Sequence, residues 1–394
     1  MSKGVTFARG FSGAVAAAGV KHGIPERDDV AVIASDRPCS AAGIFTTNQV
    51  IAAPCVVTRR HLAGGTLRAI VVNSGNANAC TGEQGEDDAV AMAKAAAALV
   101  RASPYEVAVA STGVIGVPLP VDRIASAVAG MKLSTDAGEA IARAIMTTDT
   151  KPKLAQREVG LARGPVRLGG VAKGAGMIHP HMATLLAFVT TDARVDAATL
   201  RATLDSAADR TFNAISVDGD TSTNDTLLVL ANGASGVTVG EPELPTFTDA
   251  LTALCADLAQ QVIADGEGVT RVFEIHLRGA LTDAEAKLAA RTITTSNLVK
   301  TAVHGADPNW GRILAAAGRS GARVDQARAS VRIGDQVVYD TGSPRAFDAD
   351  AVRRIFGGKR IGIEVDLGLG PGEARAWGTD LSAEYVRINA DYTT

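Results

Sequence analysis

The chain carries seven polar, glycine-punctuated segments that packed layers do not require: Asn73-Ser74-Gly75-Asn76-Ala77-Asn78, Ser111-Thr112-Gly113, Thr147-Thr148-Asp149-Thr150, Lys173-Gly174-Ala175-Gly176-Met177, Asp218 to Asp225, Asp265-Gly266-Glu267-Gly268 and Asn309-Trp310-Gly311-Arg312. Most follow a short apolar run, where loops of an α/β scaffold usually carry function. Taken singly, each reads as a solvated glycine-rich turn. Common site chemistries are absent. The chain has no GxGxxG or Walker lysine motif for nucleotides and no GxSxG elbow for a serine nucleophile. His179 and His181 flank Pro180 and would share a strand face, yet no acid or cysteine cluster near them completes a metal set. No metal is therefore expected. The TSTND stretch lacks the spacing and closing glutamate of an EF-hand, so turn or cap hydrogen bonding is expected there.

The elements that must position these segments alternate. Val30 to Ser35, Ala69 to Gly75 and Val107 to Thr112 read as buried strands, and Glu86 to Arg101 as an alanine-rich helix. A helix over Glu139 to Met146 runs into the loop TTDTKPK. The run Thr184 to Thr191 is apolar, Ala197 to Arg210 is an amphipathic helix, and strands are expected around FNAISV and TLLVLANG. Helices follow over Phe247 to Ala264 and Leu281 to Arg291, with a strand through His276 between them. Then come the loop HGADPNWGR and strands near Val331 to Ile333, Gln336 to Tyr339 and Ile361 to Asp366. This order predicts α/β layering (α/β or α+β) with a smaller C-terminal α/β domain.

Composition narrows the function classes. The chain has 394 residues, 46% hydrophobic and 21% charged, as expected for a globular protein with a substantial core. A net charge of −3 leaves no basic footprint for nucleic acid or an anionic membrane, and 4% aromatic residues leave little for base stacking. The start lacks a convincing signal peptide, and the most apolar stretch, Ala89 to Val100, is interrupted by Lys94. Cys39, Cys55, Cys80 and Cys255 are scattered without metal-like spacing and read as reduced core thiols of a cytoplasmic protein.

The segment KGAGMIHPHMATLLAFVTTDA, Lys173 to Ala193, closely resembles the cleavage-site segment of the ornithine acetyltransferases, also called glutamate N-acetyltransferases. VVNSGNANACTG, ASTGVIG, IMTTDTKPK, RTFNAISVDGDTSTNDT, DGEGVT, LVKTAVHGADPNWGRI and YVRINADYTT resemble further segments of that family, in family order along the whole chain. The resemblance implies a layered α/β sandwich of the self-processing N-terminal-nucleophile type. It implies a precursor that splits between Ala183 and Thr184 into an α chain (1–183) and a β chain (184–394) forming one intertwined unit. Without the resemblance, Thr184 reads simply as the start of a buried strand.

The implied chemistry has a physical basis. A threonine hydroxyl needs a neighbouring base to attack. Once Thr184 is an N-terminus, its α-amine, with a pKa of roughly 7.7–8.0, supplies that base near neutral pH. Before cleavage the same hydroxyl would attack the Ala183 carbonyl, and Gly174 and Gly176 would allow the tight backbone path. The resemblance implies that N2-acetylornithine gives its acetyl group to Thr184, ornithine leaves, and glutamate takes the acetyl group, as in the acetyl cycle of arginine biosynthesis. Thr112 and Gly113 are implied as the oxyanion hole, on a strand-end turn with outward amides. Thr147, Lys173, Thr184, Glu267, Asn389 and Thr394 are implied as substrate contacts, with Lys173 for a carboxylate and Glu267 for an ammonium. Asn389 and Thr394 imply that the C-terminus folds back over the pocket. No cofactor is implied beyond acetyl-coenzyme A as an optional co-substrate, and the implied assembly is two α and two β chains. His179 and His181 depart from the commoner family pattern but leave the Met-Ala-Thr junction intact. The rival readings are an N-terminal-nucleophile amidase or aminopeptidase, with water as acceptor, and a non-catalytic binding protein.

Overall fold

The computed structural model describes residues 3–23, 25–179 and 185–391. They fall into two compact units, one from Met1–Asn213 and Asp220–Val262, the other from Ala214–Gly219 and Ile263–Thr393. In the larger unit the strands run in the order Val107–Val114, Thr66–Asn76, Val30–Phe45, Thr226–Ala231, Leu186–Thr191, Gly164–Lys173, Lys153–Leu161, with Phe11–Ala16 paired alongside Val30–Phe45. The pairs Thr66–Asn76 with Val107–Val114 and Leu186–Thr191 with Thr226–Ala231 are parallel. Alternate residues of the strands enter two separate cores. Ala31, Ile33, Ile70, Val72, Ala108 and Ala110 enter one, and Val30, Val32, Ala69, Val71, Val107 and Val109 the other. Both faces of this region are therefore covered, which is why these strands read as unbroken apolar runs rather than as alternating ones.

Helix Gly82–Val100 buries Ala89, Met92, Ala93, Ala96 and Ala97, the i, i+3, i+4, i+7, i+8 stripe of an amphipathic helix. Small side chains on that stripe let its backbone approach the strands closely. Helix Leu244–Ala264 is seated on Gly170, where an added Cβ would lie 2.9 Å from Leu258 Cδ1. Burying each large apolar side chain on such a helix stabilises the unit by about 1.5–3 kcal/mol.

Three sequence expectations change. The strand expected at Val30 to Ser35 continues to Phe45 through a register shift between Ala34 and Cys39, where Asp36, Arg37 and Pro38 are exposed. A charged pair and a proline looked like an end because they interrupt the apolar run; a bulge lets the strand absorb them. The segment FNAISV forms a short 3-10 turn, Phe212–Ala214, and only a two-residue strand, Ile215–Ser216. The loop expected at HGADPNWGR is bounded by helix Asn297–His304 and helix Trp310–Gly318, the second started by Asn309, whose side chain accepts the Arg312 N–H at 3.3 Å.

In the smaller unit the strand order is Ser343–Pro344, Gln336–Asp340, Ser330–Ile333, Arg360–Asp366, Val272–Ala280, Gly372–Thr379, Ile215–Ser216. Helices Asp283–Thr294, Trp310–Gly318 and Ala349–Phe356 share one apolar core with the sheet. The molecule is α/β in both units. Of the cysteines, Cys39, Cys55 and Cys255 are buried, and burial pushes each thiol up to about 12. Cys80 is exposed, against the expectation that all four are core thiols. Among the described residues no helix is long and apolar enough to cross a membrane.

Candidate active site

Ser111-Thr112-Gly113 does not form a turn after its strand. It lies within Val107–Val114, in parallel register with Asn73, Ser74 and Gly75. Gly113 has φ +137°, and a Cβ there would stand 2.3 Å from the Gly75 carbonyl carbon and 2.4 Å from Asn76 N. No side chain fits, so glycine here is a requirement of two backbones in contact. The ladder shifts register between Gly75 and Asn76, which ends regular pairing beside Thr112.

The neighbouring polar run is also not a solvated turn. Asn73, Ser74, Asn76 and Asn78 are all buried. Ser111 Oγ donates to Asn73 Oδ1 at 2.6 Å, Asn73 Nδ2 to the Asn76 carbonyl at 2.9 Å, and Asn78 Nδ2 to the Gly85 carbonyl at 2.8 Å. Ser74 Oγ donates to the Ala144 carbonyl at 2.7 Å, tying the strand to the end of helix Gly138–Ala144. Buried polar groups are stable only when paired in this way, and a paired network fixes one backbone path.

Lys173 closes strand Gly164–Lys173 and is buried, with Nζ donating to Thr112 Oγ1 at 3.1 Å. Gly174 N donates to Asp149 Oδ1 at 2.7 Å, and Lys153 Nζ donates to the same oxygen at 2.6 Å. The other carboxylate oxygen accepts the Thr147 N–H at 3.1 Å. Burial alone would raise the Asp149 pKa, but the charges of Lys173 and Lys153, with these hydrogen bonds, hold it below the ordinary carboxylate range. Asp149 therefore stays ionised and links Thr147, Gly174 and both lysines. Sequence reading noted it only as part of a polar loop.

Lys173 stands opposite Leu186 in the antiparallel ladder, and Leu186 opposite Thr226 in the parallel one. Strand Leu186–Thr191, which follows the expected Ala183–Thr184 junction, is thus enclosed by a strand that precedes the junction and one that follows it. Ala183, Thr184 and His181 lie outside the described residues, as does Thr394. Leu185 is described, and its N–H donates to Asp225 Oδ1 at 2.7 Å. Asp225 is fully buried, and its Oδ2 has no hydrogen-bond partner among the described residues. Burial pushes its pKa well above the usual carboxylate range, against smaller lowering effects of the Leu185 N–H and the Lys173 charge. Asn224 Nδ2 donates to the Ala77 carbonyl at 2.6 Å and the Ser111 carbonyl at 2.9 Å. Local turn bonds are present as expected for TSTND, with Asn224 N donating to Ser222 Oγ at 3.1 Å and Thr223 Oγ1 to Asn224 Oδ1 at 2.6 Å, and the bonds to Ala77 and Ser111 add partners far away in sequence.

In the smaller unit, Asn389 Nδ2 donates to Glu267 Oε2 at 2.9 Å. Ser382 Oγ donates to the Gly268 carbonyl at 2.6 Å, and a Cβ on Gly268, at φ +65°, would lie 2.4 Å from Tyr385 N. Helix Ala383–Asp391 is therefore seated on the DGEGVT segment. Among the described residues no group of His, Cys, Asp and Glu is placed to hold a metal ion.

The ArgJ family model matches residues 13–394. The arginine biosynthesis bifunctional protein ArgJ of Symbiobacterium thermophilum is 50% identical over 100% of this chain and 99% of its own length. The protein of the same name from Dehalococcoides mccartyi is 49% identical over 99% and 97%. The crystal structure of arginine biosynthesis bifunctional protein argJ from Bacillus halodurans is 43% identical, with a TM-score of 0.51, and covers 52% of this chain and 98% of its own. With half of all positions shared from end to end and the polar strand ends set as described, this chain belongs to the ArgJ family.

Proposed function

We propose that this chain transfers the acetyl group of N2-acetylornithine to glutamate through an acetyl ester on Thr184, in the acetyl cycle of arginine biosynthesis. As a member of the ArgJ family it is an acyltransferase of that route. The observation that carries the reading is identity to named ArgJ proteins over the full length of both chains.

The precursor splits between Ala183 and Thr184. Thr184 Oγ attacks the Ala183 carbonyl, the scissile C–N bond breaks with a proton passing to the Thr184 nitrogen, and water opens the resulting ester. The freed amine then serves as base. It takes the hydroxyl proton as Oγ attacks the acetyl carbonyl of acetylornithine, and returns it to the departing ornithine amine. Glutamate's amine attacks the acetyl ester, Oγ leaves and recovers its proton, and N-acetylglutamate departs. Each tetrahedral oxyanion is met by Thr112 and Gly113, where one lost donor costs on the order of 3 kcal/mol of barrier.

Supporting this assignment, Gly113 can only be glycine, and Lys173 holds the Thr112 hydroxyl from within the fold. Thr147, Lys173, Glu267, Asn389 and Thr394 contact the substrates, with Lys173 toward a carboxylate and Glu267 toward an ammonium. The reading is also supported by the solved relative, a chain that matches over 98% of its own length while spanning 52% of this one, the proportion expected of half a split precursor. The two halves stay together because two strand pairings cross the junction, Gly164–Lys173 with Leu186–Thr191 and Val30–Phe45 with Thr226–Ala231. The assembly is two α and two β chains in the cytoplasm. No cofactor is used, and acetyl-coenzyme A serves as a second acetyl donor, in keeping with relatives named bifunctional.

The test is intact-mass analysis of the purified protein before and after acetylornithine. Two fragments meeting at 183/184, with one acetyl adduct on the second, are expected, and Thr184→Ala should remain one polypeptide without transfer. A single fully active wild-type chain would refute the mechanism. Acetate released without acetylglutamate formation would assign the chain to the amidases.

A further inference from the structure

Ser222 to Asp225 has no part in the transfer just described, yet all four residues are buried. The segment is anchored by its backbone: Thr46 N donates to the Asp225 carbonyl at 3.0 Å and Ala52 N to the Thr223 carbonyl at 3.0 Å. Asn224 and Asp225 also reach outward with their side chains, one to strand Val107–Val114 and the other to Leu185, just before strand Leu186–Thr191. Asn224 Nδ2 holds the Ser111 carbonyl at 2.9 Å. Because a trans peptide is planar, fixing that carbonyl on one side directs the Thr112 N–H to the other. Asp225 Oδ1 holds the Leu185 N–H at 2.7 Å, and that N–H belongs to the peptide joining Leu185 to Thr184. Consecutive Cα atoms across a trans peptide are separated by about 3.8 Å, so the two clamped peptides are tied through a single rigid link.

A buried carboxyl with no partner for one oxygen among the described residues is a poor structural choice, since an unsatisfied buried polar group is costly. An apolar residue would strip the Leu185 N–H of its acceptor, so the carboxyl is there for that N–H rather than to fill space. An acid placed at this point suits a role in holding backbone for the reaction.

We propose that Asn224 and Asp225 form a paired positioning element, the first aiming the Ser111–Thr112 peptide and the second holding the Thr184–Leu185 peptide. The nucleophile and the oxyanion donors thereby keep one separation through self-cleavage and both acyl-transfer half-reactions. This rests on Thr184 as nucleophile and on Thr112 and Gly113 as oxyanion donors. Asp225 acts through the backbone it holds and makes no contact with substrate.

Misplacing a nucleophile by an ångström costs about 10²-fold in rate, and the loss falls on kcat because substrate contacts are untouched. Asp225→Ala, Asp225→Asn and Asn224→Ala are compared in the full chain by intact mass over time, by kcat and KM for acetylornithine, and by thermal melting. Asp225→Ala should slow self-cleavage and lower kcat by about 10²-fold with KM nearly unchanged. Asp225→Asn keeps an oxygen for the Leu185 N–H and should recover most of the loss, which a role in filling space would not predict for kcat alone. Asn224→Ala should also lower kcat without raising KM, and it decides the case if Asp225→Ala does not fold. A folded Asp225→Ala protein with wild-type kcat and cleavage overturns the proposal, as does wild-type kcat in Asn224→Ala. A Thr184→Ala chain run in parallel separates the two readings. Transfer activity there removes the nucleophile itself, whereas an inert Thr184→Ala beside a fully active Asp225→Ala removes only the positioning element.

Discussion

Two buried aspartates of the larger unit sit in opposite environments. Asp149 receives a lysine ammonium, two backbone N–H groups and the field of a second lysine, and its pKa is held down. Asp225 receives one N–H, has no partner for its other oxygen among the described residues, and has its pKa pushed up by burial. Burial opposes ionisation in both cases. Paired charges outweigh it at Asp149, whereas at Asp225 the Leu185 N–H and the Lys173 charge do not. Equal burial thus yields one permanent anion, which organises Thr147, Lys153 and Gly174, and one group that takes a proton readily.

The largest effect that would test this contrast is expected from Asp149→Asn. Removing the anion leaves Lys153 and Lys173 buried without their counter-charge, and breaking a buried pair from one side costs about 3–5 kcal/mol. Chemical denaturation should show that loss, and a loss below about 1 kcal/mol would place Asp149 among ordinary surface pairs. Lys153→Met should cost less, about 1.5–3 kcal/mol, since Lys173 and two N–H donors still face the carboxylate. An equal or greater loss would mean that Lys153 rather than Asp149 is the centre of the network.

The smallest effect is in pH dependence, and there the two residues should differ in sign. Asp149 has a lowered pKa in the fold, so its contribution is present above the unfolded value and is lost as pH falls through the folded one. Asp225 has a raised pKa, so folding is favoured below the unfolded value, and that advantage drains away as pH rises toward the folded one. Lys173 is the charged group that bears on Asp225, and the Cys55 thiol lies 3.9 Å from its backbone carbonyl. Relative to the wild type, Asp225→Asn should therefore gain stability as pH rises above about 4, by at most about 1.4 kcal/mol per pH unit. Melting curves of the two Asn variants against pH should diverge from wild type in opposite directions, and parallel curves would remove the distinction.

Much of the α/β order was legible because length and apolarity mark buried strands and alanine-rich helices. Helix Ala197–Arg210 matches its expected limits, and Val107–Val114 and Thr66–Asn76 contain the strands expected there. Short helices such as Ala53–Leu62, Val121–Ala129 and Ala383–Asp391 were not expected, because packing rather than propensity sustains helices of that length. At the site, Lys173 and Thr112 were named by resemblance, and their mutual contact was not.

By itself the sequence determined family membership, the α/β alternation and the residue types offered for acyl transfer, since these depend on local order and on motifs read along the chain. Only the tertiary structure decided that the asparagine-rich run is buried, that Gly113 meets Gly75, and that Asn224 and Asp225 hold two strands remote from each other in sequence. Hydrogen bonds between distant segments leave no periodic trace in the chain. They come into being only when the apolar strands pair and bring those polar groups within reach of one another.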